Sequence, residues 1–133
     1  MGLIKSFITE NNVDTDRVYI CGTSMGGRGV WTILKENPGL FAAGFIGSGA
    51  AKNVEPEDFK DIPLYVTVST DENSYNTLPD FVAQIKAAGG TVKIDIMSGL
   101  SHGAACDNAF TDNRLDWFFS WKNSSGTGDG AAT

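Results

Sequence analysis

The pentapeptide Gly-Thr-Ser-Met-Gly at residues 22–26 constrains the fold of this chain more than any other feature. It follows the apolar run at residues 18–21, which predicts a strand, and it precedes apolar residues at helical spacing that end at Asn37-Pro38. A serine between two glycines on a sharp turn from strand to helix is the G-x-S-x-G pattern of a nucleophile elbow. The turn lifts the hydroxyl clear of the sheet, and the flanking glycines avoid collisions with the neighbouring backbone. We therefore interpret Ser24 as a nucleophile.

A nucleophilic serine needs a base, because its hydroxyl is almost entirely protonated at neutral pH. The sequence contains one histidine, His102. It follows the alternating segment at residues 92–96, which predicts the last strand, and it lies in a loop flanked by glycines. It also comes last in the chain order serine, acid, histidine that is typical of sites built around such an elbow. We expect His102 to be the base.

The third candidate is a carboxylate that would hold the imidazole in one tautomer and stabilise its charged form. Residues 64–68 predict a strand, and an acidic loop follows at its C-terminal end, where open α/β sheets place their functional groups. Asp71 in this loop is the first choice. Glu72 is the alternative, because a shift of the loop by one residue exchanges the two. Asp107 and Asp112 both follow the histidine and are less favoured.

These residues also carry a resemblance to a known family, which covers the chain up to about Lys122. The chain resembles the C-terminal half of an α/β-hydrolase of the esterase and polyhydroxybutyrate-depolymerase-like group. Besides the pentapeptide, the resemblance rests on residues 16–20, Gly26-Gly27, Trp31, residues 37–43 and residues 86–90. It implies that Ser24 is the nucleophile and His102 the base. The usual front half of the fold has no counterpart in this sequence.

The resemblance further implies an oxyanion hole and an open sheet edge. One donor would be the backbone N–H of Met25, and the second would come from the front half of the fold. Without that donor we expect catalysis to be slower by about 100- to 1000-fold, unless another loop or a partner chain replaces it. The strand at residues 18–21 would also lack one neighbour. We therefore expect a homodimer in contact through the edge near Val18–Cys21.

The order of the predicted elements indicates the α/β class, with a parallel sheet of about four strands and flanking helices, as in a truncated α/β-hydrolase fold with three layers. Strands are predicted at about 17–22, 42–47, 63–69 and 91–97, and helices at about 2–11, 25–36, 76–88 and 111–122. Residues 1–122 would form one catalytic domain. Residues 123–133, which have little to bury, would form a flexible tail.

The composition of the chain argues against two classes of binding partner, nucleic acid and membranes. The net charge of −6 argues against nucleic acid, for which a basic patch would be expected. No apolar run reaches the length of a membrane helix, so we expect a soluble protein without a membrane partner. No secretion signal is visible, which favours the cytoplasm, although a longer parent could be secreted.

The sequence therefore predicts a serine esterase that acts on small-molecule esters, with short acyl chains favoured, through an acyl-enzyme intermediate. This chemistry needs no cofactor and no metal. Thioesterase or peptidase activity differs only in the leaving group and stays open. The alternative from another class is a non-catalytic fragment whose exposed sheet edge serves as an assembly surface.

Overall fold

The structure, a computed structural model, describes residues 18–121. Its sheet has four parallel strands in chain order: β1 (Tyr19–Thr23), β2 (Ala43–Gly47), β3 (Leu64–Ser69) and β4 (Val92–Met97). The register pairs Tyr19 with Ala43, Gly44 with Leu64, and Leu64 with Val92. Because all four strands are parallel, their carboxyl ends meet at one edge of the sheet, and the loops that leave those ends can share a site.

Helices flank this sheet, so the α/β class and the parallel sheet of four strands are confirmed. They are α1 (Met25–Glu36), α2 (Leu78–Ala87), α3 (His102–Asp107) and α4 (Asp112–Phe119), with 3-10 helices at Pro56–Phe59 and Asn73–Asn76. The predicted strands and three of the predicted helices agree with these bounds to within three residues at each end. The helix predicted at 2–11 and the tail predicted at 123–133 lie outside the described residues.

Helix α3 is an element that the sequence interpretation missed, because the glycines around His102 indicated a loop. Gly103 instead lies inside the helix. Ser101 begins it as an N-cap, with its side-chain oxygen accepting the N–H of Ala104 at 3.3 Å. A serine directly before the histidine was the available signal for this short helix.

One face of the sheet holds the larger core, which is covered by α1, α2 and the 3-10 helix at Pro56–Phe59. Its buried members are Val30, Trp31, Leu34, Phe41, Ile46, Phe59, Leu64, Val66, Val68, Leu78, Val82, Ile85 and Val92. Strand residues alternate between faces, so Leu64, Val66 and Val68 of β3 all lie in this core. Trp31 is fully buried, and its indole N–H donates to the Gly49 carbonyl at 2.9 Å.

The opposite face carries a smaller, aromatic core under α4. Its buried members are Ala43, Phe45, Tyr65, Ala109 and Phe118. The rings of Phe45 and Tyr65 stack, with centroids 5.1 Å apart and planes at 9°. Several large side chains around them are only partly buried, and Phe119 is 52% exposed. This face is therefore less completely covered than the other.

Strand β1 lies at one end of the sheet. Within residues 18–121, β2 is its only strand neighbour, and Cys21 in β1 is exposed. The side chain of Tyr19 packs against the smaller core, and its hydroxyl contacts the carbonyls of Phe119 and Trp121. The homodimer expected through this edge stays a prediction. In the part of the chain that the structure describes, none of the helices is long and apolar enough to cross a membrane.

Candidate active site

Ser24 lies on the tight turn that joins β1 to α1. Its φ of 57° and ψ of −122° place it in a backbone region that non-glycine residues rarely adopt. Its N–H donates to the Gly47 carbonyl at 2.9 Å, and its carbonyl accepts the N–H of Arg28 at 3.0 Å. These two backbone hydrogen bonds hold the serine in its strained conformation at the carboxyl end of the sheet.

The glycines around this turn do not share one role. A Cβ on Gly22 would lie 2.5 Å from the carbonyl carbon of Gly26, so only glycine fits there. A Cβ on Gly26 would meet nothing within 4 Å, which corrects the expectation that both flanking glycines prevent collisions. The second close approach occurs at Gly27, where a Cβ would lie 3.0 Å from the Gly47 carbonyl oxygen, because α1 starts directly against β2.

His102, the first residue of α3, lies next to the serine. Its Nε2 is 2.8 Å from the Ser24 hydroxyl oxygen. The histidine side chain is 54% exposed, so the ring borders solvent on its other side. Cys106, one turn further along α3, brings its sulfur to 3.9 Å from the same nitrogen. With the ring proton on Nδ1, Nε2 can accept the proton of the serine hydroxyl.

The carboxylate that contacts this imidazole belongs to Glu72. Its Oε2 lies 2.5 Å from Nδ1 of His102, and its side chain is 2% exposed. Asp71, the first choice from the sequence, is exposed and makes no side-chain contact with the ring. The geometry thus favours Glu72, the alternative, over Asp71, and the role of the acid stays a prediction. The turn after β3 directs Asp71 to solvent and Glu72, just before the 3-10 helix at Asn73–Asn76, under the imidazole.

Glu72 is buried with hydrogen bonds to both of its oxygens. Oε1 accepts the hydroxyl of Ser48 at 2.9 Å and the backbone N–H of Ser69 at 2.7 Å, while Oε2 faces His102. A buried carboxylate that is satisfied in this way has little freedom to rotate. Glu72 is therefore held in place, and its contact with Nδ1 fixes the position of the His102 ring.

Hydroxyl groups also join the loop after β3 to the loop after β4. Ser69 Oγ accepts the N–H of Leu100 at 2.8 Å, and Thr70 Oγ1 accepts the N–H of Gly99 at 2.9 Å. The N–H of Thr70 donates to the Met97 carbonyl at 2.9 Å. Because Glu72 follows one of these loops and His102 follows the other, these bonds set the distance between the two side chains.

The sequence interpretation did not single out Ser48, Ser69 or Thr70. Each hydroxyl lies at the carboxyl end of β2 or β3 or directly after it. Hydroxyl residues at the ends of adjacent parallel strands were therefore the signal that could have found them.

Met25, the expected oxyanion donor, is the first residue of α1. The first N–H groups of a helix have no acceptor within the helix, so the N–H of Met25 is available beside Ser24. The N-terminal end of a helix carries a partial positive charge, and this end of α1 lies beside Ser24. No acidic residue in the first turn of α1 neutralises that charge. This position suits a donor to developing negative charge, and the role itself stays a prediction.

A cavity of about 530 Å³ surrounds these groups and opens to solvent. It is lined by Ser24, Met25, Arg28, Ser48, Ala50, Lys52, Asp71, Glu72, Asn73, Ser74 and His102. Its volume is in the range of small-molecule sites. Residues 18–121 contain no group of three His, Cys, Asp or Glu side chains that could hold a metal ion.

Arg114 of α4 holds the far end of α3. Its Nη1 donates to the carbonyls of Asn108 and Ala109 at 2.7 and 3.0 Å, just beyond the last turn of α3. Its Nε donates to Oδ2 of Asp95 at 2.8 Å. The hydroxyl of Tyr65 donates to the same carboxylate oxygen at 2.5 Å. A network of side chains from β3, β4 and α4 thus supports the helix that begins with the candidate base.

This network shifts the pKa values of its members. Burial opposes the ionised form of Asp95, but hydrogen bonds from Tyr65 and Arg114, with the charges of Arg114 and Lys93, outweigh it and lower the pKa of that carboxyl. Burial, followed by the hydrogen bond to Asp95 and the charge of Asp95, raises the pKa of Tyr65 to about 12, although Arg114 opposes the rise. The tyrosine therefore remains a proton donor throughout the neutral range.

Comparisons with known proteins agree with this architecture. The family model described as the prolyl oligopeptidase family matches residues 1–80. No curated protein gives a significant match to the chain.

Solved structures are similar to most of the chain. A thermostable esterase is 28% identical, with a TM-score of 0.81 over 91% of this chain and 35% of that one. SOBER1 of Arabidopsis thaliana is 24% identical, with a TM-score of 0.62 over 90% of this chain and 57% of its own. The acylaminoacyl peptidase of Pyrococcus horikoshii is 19% identical, with a TM-score of 0.67 over 81% of this chain and 23% of its own. The chain therefore spans about a third of the esterase's length.

Proposed function

The chain belongs to the prolyl oligopeptidase family, within the α/β-hydrolase superfamily, and on that premise we propose that it is a serine hydrolase that cleaves carboxylic esters through an acyl-enzyme intermediate. One observation supports this proposal more than any other. The Ser24 hydroxyl lies 2.8 Å from Nε2 of His102, and Nδ1 of the same ring lies 2.5 Å from Glu72. A hydroxyl, an imidazole and a buried carboxylate in this order are the parts that nucleophilic catalysis by serine requires.

In the proposed reaction the oxygen of Ser24 attacks the carbonyl carbon of the ester and its proton passes to Nε2 of His102. Glu72 holds the ring with its proton on Nδ1 and stabilises the imidazolium that forms. The N–H of Met25 donates to the oxygen of the tetrahedral intermediate. His102 then gives the proton to the leaving alcohol. Water repeats these steps on the acyl-serine and releases the acid, so the proposal involves no cofactor and no metal.

The ester bond is the first choice of substrate because the thermostable esterase is similar to 91% of this chain at 28% identity. The family description favours a peptide bond as the second choice. A thioester would use the same three side chains, since only the leaving group differs. A non-catalytic fragment that binds another chain through the β1 edge remains the alternative from another class.

Hydrolysis of nitrophenyl butyrate by the wild type, Ser24→Ala, His102→Ala and the double variant tests the proposal. We expect each single change to remove most of the activity and the double variant to be scarcely slower, because the two residues act as a unit. Circular dichroism of each variant controls for folding. Activity that survives Ser24→Ala, or losses that multiply in the double variant, would contradict the assignment.

A fluorophosphonate probe gives a second measurement that does not depend on the substrate chosen. It should label Ser24 in the wild type and nothing in Ser24→Ala, since only an activated serine reacts. To separate an esterase from a peptidase, an ester and an anilide with the same acyl group are compared. A larger kcat/KM for the anilide would assign the chain to peptide bonds.

We also propose that the chain forms a homodimer through the edge near Val18–Cys21. The support is that β1 lies at the end of the sheet, with β2 as its strand neighbour within residues 18–121, and an end strand can pair with another chain. Sedimentation equilibrium over a wide concentration range tests this. A monomer mass at the highest concentration contradicts the dimer, whereas a dimer without any esterase activity would favour the assembly function.

A further inference from the structure

Two cations border the candidate site. Arg28 in α1 and Lys52 in the loop after β2 both line the cavity around Ser24. Neither side chain has a hydrogen bond or an ion pair with any group among residues 18–121. Their charges are therefore available to a ligand.

A second depression of about 290 Å³, called the groove below, adjoins the cavity and shares Arg28 and Lys52 with it. It is lined by Met25, Arg28, Gly29, Thr32, Lys52 and Asn53. The only charged side chains in this set are the two cations, whereas Thr32 and Asn53 add neutral hydrogen-bonding groups. The acidic residues Asp71 and Glu72 line only the main cavity. The two cations therefore line both depressions, whereas the two carboxylates line only the main cavity.

Arg28 is exposed near the start of α1. It is the fourth residue of α1, in the first turn, where the helix dipole disfavours a cation. That turn carries no acidic residue to offset the charge. A residue that conflicts with its local structure without compensation is expected where a binding site requires it.

The direction of the reaction decides which part of a substrate would occupy the groove. His102 gives its proton to the leaving alcohol, so the alcohol lies on the histidine side of Ser24. We propose, on the basis of the proposed function, that the acyl group extends along Arg28 and Lys52, and that the chain prefers esters whose acyl part carries a carboxylate, such as monoesters of dicarboxylic acids. The guanidinium of Arg28 and the ammonium of Lys52 would bind that carboxylate.

Binding to the Ser24→Ala chain tests this preference separately from turnover. Isothermal titration with monoethyl glutarate and with ethyl valerate, which has a methyl group in place of the carboxylate, should show tighter binding of the anionic ester. Exposed cations contribute about two- to fivefold each. Arg28→Gln and Lys52→Gln on this background should each reduce the ratio of affinities by that factor. Lys86→Gln, an exposed lysine of α2 away from the site, is the matched control and should change nothing.

The same ratio should appear in the kcat/KM values of the active chain and should fall in about 0.5 M NaCl, because salt screens exposed charges. Acetoxyacetate carries its carboxylate on the alcohol side and should gain nothing over ethyl acetate. Three results would overturn the inference: equal affinities for monoethyl glutarate and ethyl valerate, a preference that survives when Arg28→Gln and Lys52→Gln are combined, or a preference for acetoxyacetate over ethyl acetate. Tighter binding of the anionic ester without any turnover would support binding of the carboxylate in the groove and would contradict the proposed esterase activity.

Discussion

The two faces of the sheet hold the two halves of the candidate site in different ways. Ser24 leads into α1, a helix of 12 residues that buries Val30, Trp31 and Leu34 in the larger core. His102 leads into α3, a helix of six residues with one buried side chain, Ala105. The difference teaches that the helix after Ser24 is anchored mainly by apolar packing, whereas the helix that begins with His102 depends mainly on hydrogen bonds.

The hydrogen bonds on the histidine side come from three directions. Glu72 contacts the ring itself, the hydroxyls of Ser69 and Thr70 join the preceding loops, and Arg114 holds the end of α3. Each of these hydrogen bonds depends on one polar group. A buried polar group that loses its partner lowers the free energy of unfolding by about 1–3 kcal/mol. We therefore expect single polar substitutions to displace His102 more than Ser24, because the helix after Ser24 is supported by many apolar contacts.

The largest effect is expected at the carboxylate under the ring. Glu72→Gln should keep the fold but lower kcat by about four orders of magnitude, because the amide no longer stabilises the imidazolium or selects its tautomer. Asp71→Asn is the matched control, one residue away and exposed, and should stay within a few-fold of the wild type. Steady-state kinetics with nitrophenyl butyrate make the measurement. The reverse result would return the role to Asp71.

The next effect concerns the packed face. Trp31→Ala should lower the free energy of unfolding by about 3–5 kcal/mol, because it empties a fully buried site and leaves the Gly49 carbonyl without its indole donor. Phe119→Ala on the opposite face, at a ring that is 52% exposed, should cost much less. Urea denaturation followed by circular dichroism compares them. Equal losses would show that the two faces contribute equally to the free energy of unfolding.

A smaller loss of stability is expected on the polar side. Arg114→Gln should lower the free energy of unfolding by about 1–3 kcal/mol, because the carbonyls of Asn108 and Ala109 and the carboxylate of Asp95 lose a charged donor. Hydrogen exchange should accelerate first in α3, and kcat should fall while α1 amides keep their protection. Lys60→Gln, at an exposed site, is the control. Uniform acceleration across both helices would contradict a specific role in holding α3.

The smallest effect is a pH dependence of the same network. Because the pKa of Tyr65 rises from 10.0 to about 12 on folding, its contribution to stability is complete below pH 10 and is lost as the pH rises through that interval. Because the pKa of Asp95 falls below 3.8, its contribution is complete above that value and is lost as the pH drops through the folded pKa. The difference in urea midpoint between wild type and Tyr65→Phe should therefore shrink between pH 10 and about 12. A constant difference would contradict this.

Most of the fold could be predicted because it depends on local patterns. Apolar residues at strand and helix spacing, with glycine and proline at their ends, located all four strands and helix α1 at Met25–Glu36. The same reasoning placed Ser24 on a turn and His102 after the last strand, and the parallel sheet then brought them to the same edge. Helix α3 was missed because six residues with one buried side chain leave almost no periodic signal.

What the sequence by itself determined was the order of strands and helices, the class of the fold and the two residues that lie 2.8 Å apart at its carboxyl edge. Only the tertiary structure decided that Glu72, and not Asp71, faces the ring, and that Gly27, and not Gly26, must be small. The physical reason is the range of the interactions. Periodicity depends on neighbours along the chain, whereas the direction of a loop side chain depends on partners such as Ser48 and His102, which are distant in sequence and meet only when the sheet has formed.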